Sequence, residues 1–92
     1  MINTNLNYHT LPLGEGAPEI VDCVVEISKD SNVKYEYDED LNVFRLDRCL
    51  ISSMSYPASY GFIPSTLADD GDALDILIWN SMPLMTGTIV QV

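Results

Sequence analysis

The run Asp70-Gly71-Asp72-Ala73-Leu74-Asp75 places three aspartates within six residues, just before the apolar stretch Ile76-Leu77-Ile78-Trp79. Carboxylates this close repel one another: at about 4 Å, two like charges cost roughly 4 kcal/mol at an effective dielectric near 20. A hard divalent cation relieves the repulsion, because Mg²⁺, Mn²⁺ and Ca²⁺ prefer oxygen ligands. The spacing does not fit an EF-hand loop counted from Asp70. Its sixth and twelfth positions call for Gly and an acid, and here they hold Asp75 and Ser81. On a loop entering a strand, Asp70, Asp72 and Asp75 could converge on one or two metal ions. From the spacing alone a solvated acidic turn is the alternative, and Asp69 reads as part of such a turn.

A second set of charges interrupts apolar strands. Glu26, Lys34 and Glu36 share the non-core parity of their segments, and Arg48 follows on a third strand. One reading is a polar sheet face with cross-strand ion pairs, each worth about 0.2–1 kcal/mol. The other is a phosphate held jointly by lysine, arginine and metal-bearing carboxylates on one concave face. Tyr56 and Tyr60 flank Pro57, either packed as core or donating to a ligand oxygen.

The elements that must carry these residues read as strands. Val21, Cys23, Val25 and Ile27 alternate with Asp22, Val24 and Glu26, giving a strand with one apolar face. Val33, Tyr35 and Tyr37 alternate with Lys34, Glu36 and Asp38, and residues 43–50 return as a third strand after the acidic turn 38–40, a hairpin. Tyr56-Pro57 excludes a helix there. Tyr60-Gly61-Phe62-Ile63 is a short strand, Leu74–Trp79 a strongly buried one, and Thr88–Val92 a terminal strand with no partner after it. Residues 1–19 read as an irregular arm and 20–92 as one domain, with no repeat and no helix. The fold class is all-β, a small sheet or partial barrel.

Bulk properties narrow the partners. The chain has 92 residues, enough for one small domain. With 14 acidic against 4 basic residues the net charge is −10, which argues against a nucleic-acid partner. A polyanion can still bind if metal ions invert the local field. No apolar run approaches the ~20 residues of a membrane span and no signal peptide is visible, so no membrane partner and a cytoplasmic location are expected. Cys23 and Cys49 form no zinc motif with the lone His9 and are expected as reduced, mostly buried thiols. Met54, Met82 and Met85 are expected to fill gaps in the core.

Taken in order, Gly14–Glu19, Val25-Glu26-Ile27, Val33–Asp38, Leu46-Asp47-Arg48, Tyr56–Pro64 and Leu67–Asp75 resemble the soluble family I inorganic pyrophosphatases. The last two stretches are the most specific, and the likeness covers nearly all of the chain beyond residue 13. It implies hydrolysis of pyrophosphate to two phosphates with Mg²⁺ (Mn²⁺ or another divalent ion as substitute), with water as the nucleophile. It implies a small closed β-barrel of the oligonucleotide-binding type, flanked by helices from later sequence. By motif position Asp70, Asp72, Asp75 and Glu26 would serve the metals, Asp72 also accepting the proton of the attacking water. Lys34, Arg48 and Tyr60 would hold phosphate oxygens, with Glu36 and Tyr56 in support. Homo-oligomers are implied as well.

Two departures accompany the resemblance. Ala73 stands where the family usually has proline, which leaves the loop less stiff. The family's further aspartates, lysine and tyrosine–lysine pair lie in sequence that would follow Val92. The chain is therefore expected to carry part of the barrel and part of the site, without the C-terminal strands and helices. Weak or absent hydrolysis by the isolated chain is expected. The alternative is an inactive fragment that self-associates through an exposed terminal strand.

Overall fold

The computed structural model describes residues 7–50, 55–69, 71–79 and 81–92; Asp70 and Met54 lie outside the described residues. A 3₁₀ turn, Tyr8–Thr10, precedes six strands: β1 (Asp22–Ile27), β2 (Val33–Asp38), β3 (Val43–Cys49), β4 (Ser59–Ile63), β5 (Leu74–Ile78) and β6 (Ile89–Gln91). The described residues contain no α-helix, so the all-β reading holds. One antiparallel sheet has the order β5-β4-β1-β6, and β2 and β3 form a separate hairpin. Among the described residues the two sheets do not close on each other, as befits a partial barrel.

Period-two alternation gave β1 one apolar face, but β1 is buried on both, from Cys23 through Ile27. The reason is its central place. Val24 lies opposite Phe62 of β4 and packs with Tyr37 and Ala73, with Tyr8, Leu11 and Phe44 closing over them. Cys23 and Val25 point the other way, onto Ile78, Ile63, Ile76, Leu84 and Val90. Full burial of such a side chain contributes about 1.5–3 kcal/mol. Gly61 makes the β1–β4 approach possible: a Cβ built there would collide with the Val24 carbonyl.

Several expectations about burial are corrected. The apolar run predicts a buried β5; as an edge strand it leaves Leu74 43% and Leu77 54% exposed, and only Ile78 of its residues is buried. The terminal strand is not unpaired. β6 pairs with β1, Asp22 opposite Gln91 and Val24 opposite Ile89, and Val21 and Val92 exchange both backbone hydrogen bonds at 2.9 Å. Its outer edge alone lacks a strand neighbour among the described residues. Both cysteines are free, but only Cys23 is buried; Cys49 ends the solvent-facing strand β3. Met82 and Met85 are exposed in the loop before β6 rather than filling core gaps.

Candidate active site

Two β-bulges shape the site. Along β1, Val25 faces Gly61 and Ile27 faces Tyr60, so Glu26 is the extra residue between consecutive positions of β4. Along β3, Arg48 faces Lys34 and Leu46 faces Tyr35, so Asp47 is the extra residue there. A bulge leaves one residue outside the ladder and re-aims its side chain. The groups freed at Glu26 are satisfied locally. Its carbonyl accepts from the Thr86 hydroxyl at 2.8 Å, and its carboxylate accepts from the Tyr37 N–H at 2.9 Å. The second bulge places Arg48 opposite Lys34, hence on the same side of the hairpin. Lys34 Nζ pairs with Asp47 Oδ2 at 3.1 Å.

The hairpin and the β1–β4–β5 face enclose a cleft of about 370 Å³. Glu26, Lys34, Glu36, Tyr60, Asp72 and Asp75 all line it, drawn from β1, β2, β4, β5 and the loop before β5. Asp75 sits opposite Phe62, which itself sits opposite Val24, so the sheet register turns Asp75 toward the Val24 side. Gly71 takes φ +88°, a left-handed conformation that favours glycine, at the turn between Asp69 and Asp72.

Electrostatics mark the buried wall. Burial pushes the Glu26 carboxyl above the usual range; the Tyr37 N–H opposes this, and the charges of Asp75 and Glu36 add to it. Tyr60 is likewise pushed up, first by burial and then by its hydrogen bond to Asp75. Its phenol therefore stays protonated and serves as a donor. The oxygen-rich donors Glu26, Glu36, Asp72 and Asp75 suit a hard cation, whose charge would relieve the repulsion felt at Glu26. Among the described residues no three His, Cys, Asp or Glu side chains are close enough together to hold a metal ion.

Not every sequence-predicted residue joins the cleft. Arg48 is exposed on β3 and outside the lining, although opposite Lys34 in register. Tyr56 stands behind Tyr60, ring centroids 6.2 Å apart, also outside the lining. Asp70 lies outside the described residues. The lining also contains His9, Tyr35, Tyr37, Glu39, Phe62 and Ala73. Of these, Tyr35 and Tyr37 were legible as strand residues, whereas nothing local flagged His9 or Glu39.

Comparison with known proteins matches this architecture. The inorganic pyrophosphatase family model matches residues 23–92. The inorganic pyrophosphatase of Thermus thermophilus is 51% identical over 86 residues, covering 94% of this chain and 49% of that protein. Soluble inorganic pyrophosphatase 1 of Arabidopsis thaliana is 44% identical, covering 91% of this chain and 40% of that protein. The crystal structure of the Thermus thermophilus enzyme superposes with a TM-score of 0.90 at 50% identity, over 94% of this chain and 49% of that one. The chain belongs to the inorganic pyrophosphatase family. It spans about half the length of the curated relatives it matches.

Proposed function

We propose that this chain carries part of the active site for hydrolysis of pyrophosphate to two phosphates, with Mg²⁺ as the natural divalent ion. The observation that carries the reading is one cleft lined by carboxylates, a lysine and a protonated tyrosine from five separate segments, in a member of this family. Glu26, Asp72 and Asp75 would hold divalent ions together with Asp70, and Glu36 and Tyr56 would support them. Divalent ions, when bound, offset phosphate charge and acidify water.

The chain's own groups do the rest. Asp72 takes the proton of the attacking water on a carboxylate oxygen. Lys34, released from Asp47, and Arg48 neutralise the charge that builds on the leaving phosphate. Tyr60, released from Asp75, donates its single O–H to a phosphate oxygen. The cleft's surplus of acids over cations also supports slow turnover by the 92-residue chain alone.

The reading includes a cytoplasmic, homo-oligomeric protein without nucleic-acid or membrane partners; the −10 charge disfavours a nucleic-acid partner. No helix among the described residues is long and apolar enough to cross a membrane. Calorimetry with pyrophosphate tests the functional reading. Binding should require Mg²⁺ and weaken about tenfold or more in Lys34→Ala, because a charge-assisted contact is worth roughly 1.5–3 kcal/mol. Binding that is equal in EDTA, or indifferent to Lys34, would contradict it.

A further inference from the structure

We infer that His9 is a ligand-binding residue of this cleft, donating from Nε2 to an oxygen of a bound phosphate group. The inference rests on the reading of the cleft as a pyrophosphate site.

His9 reaches the cleft from the far end of the chain and is fixed there at both backbone groups. The Asn7 side chain accepts its N–H at 2.9 Å, and its carbonyl accepts from the Ser65 N–H at 2.8 Å. Its ring lies nearly parallel to Tyr37, with centroids 6.1 Å apart, and 5.3 Å from the ring of Phe62. Nδ1 faces Glu39 Oε2 at 3.4 Å, a contact that tethers the arm to the end of the β2–β3 hairpin. A carboxylate at one ring nitrogen orients the imidazole, and a phosphate oxygen at the other nitrogen would draw a second proton onto the ring and accept from it. The ring lines the cleft beside Glu26, Lys34, Asp72 and Asp75.

The need for such a donor is visible in the charges. Glu26, Glu36, Glu39, Asp72 and Asp75 line the cleft against Lys34, which Asp47 already engages. Glu26 from β1, Lys34, Tyr35, Glu36 and Tyr37 from β2, Tyr60 from β4, Asp75 from β5 with Asp72 just before it, and Glu39 from the hairpin turn are the charged and titratable groups around His9 in that lining. An entering phosphate therefore meets few cationic donors of the protein, and a His9 ring that takes its second proton as the phosphate binds would supply one without a new anion.

The chain has a single histidine, so its imidazole resonances report His9 without assignment. Titrating the 92-residue chain with pyrophosphate and Mg²⁺ should move those resonances toward the imidazolium position. Their saturation should give the dissociation constant found by calorimetry. Mg²⁺ alone should leave them in place. His9→Phe, which keeps the ring stack on Tyr37 and Phe62, should weaken binding about tenfold. Pyrophosphate binding with a static His9 signal, or undiminished binding by a folded His9→Phe, would overturn the inference and leave the functional reading intact. A shift produced by Mg²⁺ alone would assign the ring to a cation and equally overturn it. Absence of any pyrophosphate binding by the wild-type chain would overturn both. If His9→Phe does not fold, the wild-type resonances decide.

Discussion

Val24-Val25-Glu26-Ile27 of β1 and Asp75-Ile76-Leu77-Ile78 of β5 are nearly the same message: three aliphatic residues and one carboxylate that lines the cleft. Their surroundings differ completely. β1 is central and buried on both faces, whereas β5 is the sheet edge and leaves Leu77 and Asp75 exposed. Hydrophobicity alone therefore does not decide burial; place in the sheet does. The cleft inherits a dry wall, where Glu26 accepts from a backbone N–H, and a wet wall, where Asp75 meets the Tyr60 hydroxyl. Two carboxylates of one site are thus prepared differently.

The comparison breaks most severely at its seam. Gly61→Ala forces a methyl onto the Val24 carbonyl where β1 and β4 are closest, and overpacking against backbone should cost about 3 kcal/mol or more. Thermal melting should show a fall of at least ~12 °C, or no cooperative transition.

A milder cut compares the strands directly. Val24→Ala opens space in the aromatic cluster and should cost roughly 2 kcal/mol. Leu77→Ala on the edge should cost less than about 0.5 kcal/mol. Equal losses in urea unfolding would erase the distinction between the strands.

The smallest effect concerns charge. Because the native Glu26 pKa is raised, the folded protein binds that proton more tightly than the unfolded chain. Its stabilising contribution is complete below the unfolded value near 4.3 and is lost as pH rises through the native value. Wild-type melting temperature, taken relative to Glu26→Gln, should therefore decline with rising pH across that window and then level off. A difference that rises with pH would reverse the assignment. Asp38 titrates in the opposite sense, its carboxyl held low first by its hydrogen bond to Arg45, and the difference measurement cancels it.

Much of this was legible in the residues. Strict alternation located β2, and the Tyr-Gly-Phe-Ile segment located β4. Parity put Glu26, Lys34 and Glu36 on one side, and the structure brings all of them to the cleft. What escaped was long-range. The bulges at Glu26 and Asp47 are set by backbone register between strands, so alternation within either strand cannot show that Arg48 faces Lys34. The exposure of Leu74 and Leu77 depends on which strand ends the sheet. His9 enters through a hydrogen bond to Ser65, which no local pattern encodes. β6 likewise finds its partner in β1, far behind it in the chain.

Whether carboxylates from both walls of the cleft share divalent cations is tested most directly by thermal melting against a Mg²⁺ titration. Saturating binding at a hundred times the dissociation constant adds about 2.7 kcal/mol, which in a domain of this size raises the melting temperature by roughly 10 °C or more. The wild-type chain should show that rise, and the double variant Glu26→Gln/Asp75→Asn should lose most of it. No rise in the wild type, or the same rise in the double variant, would contradict the account.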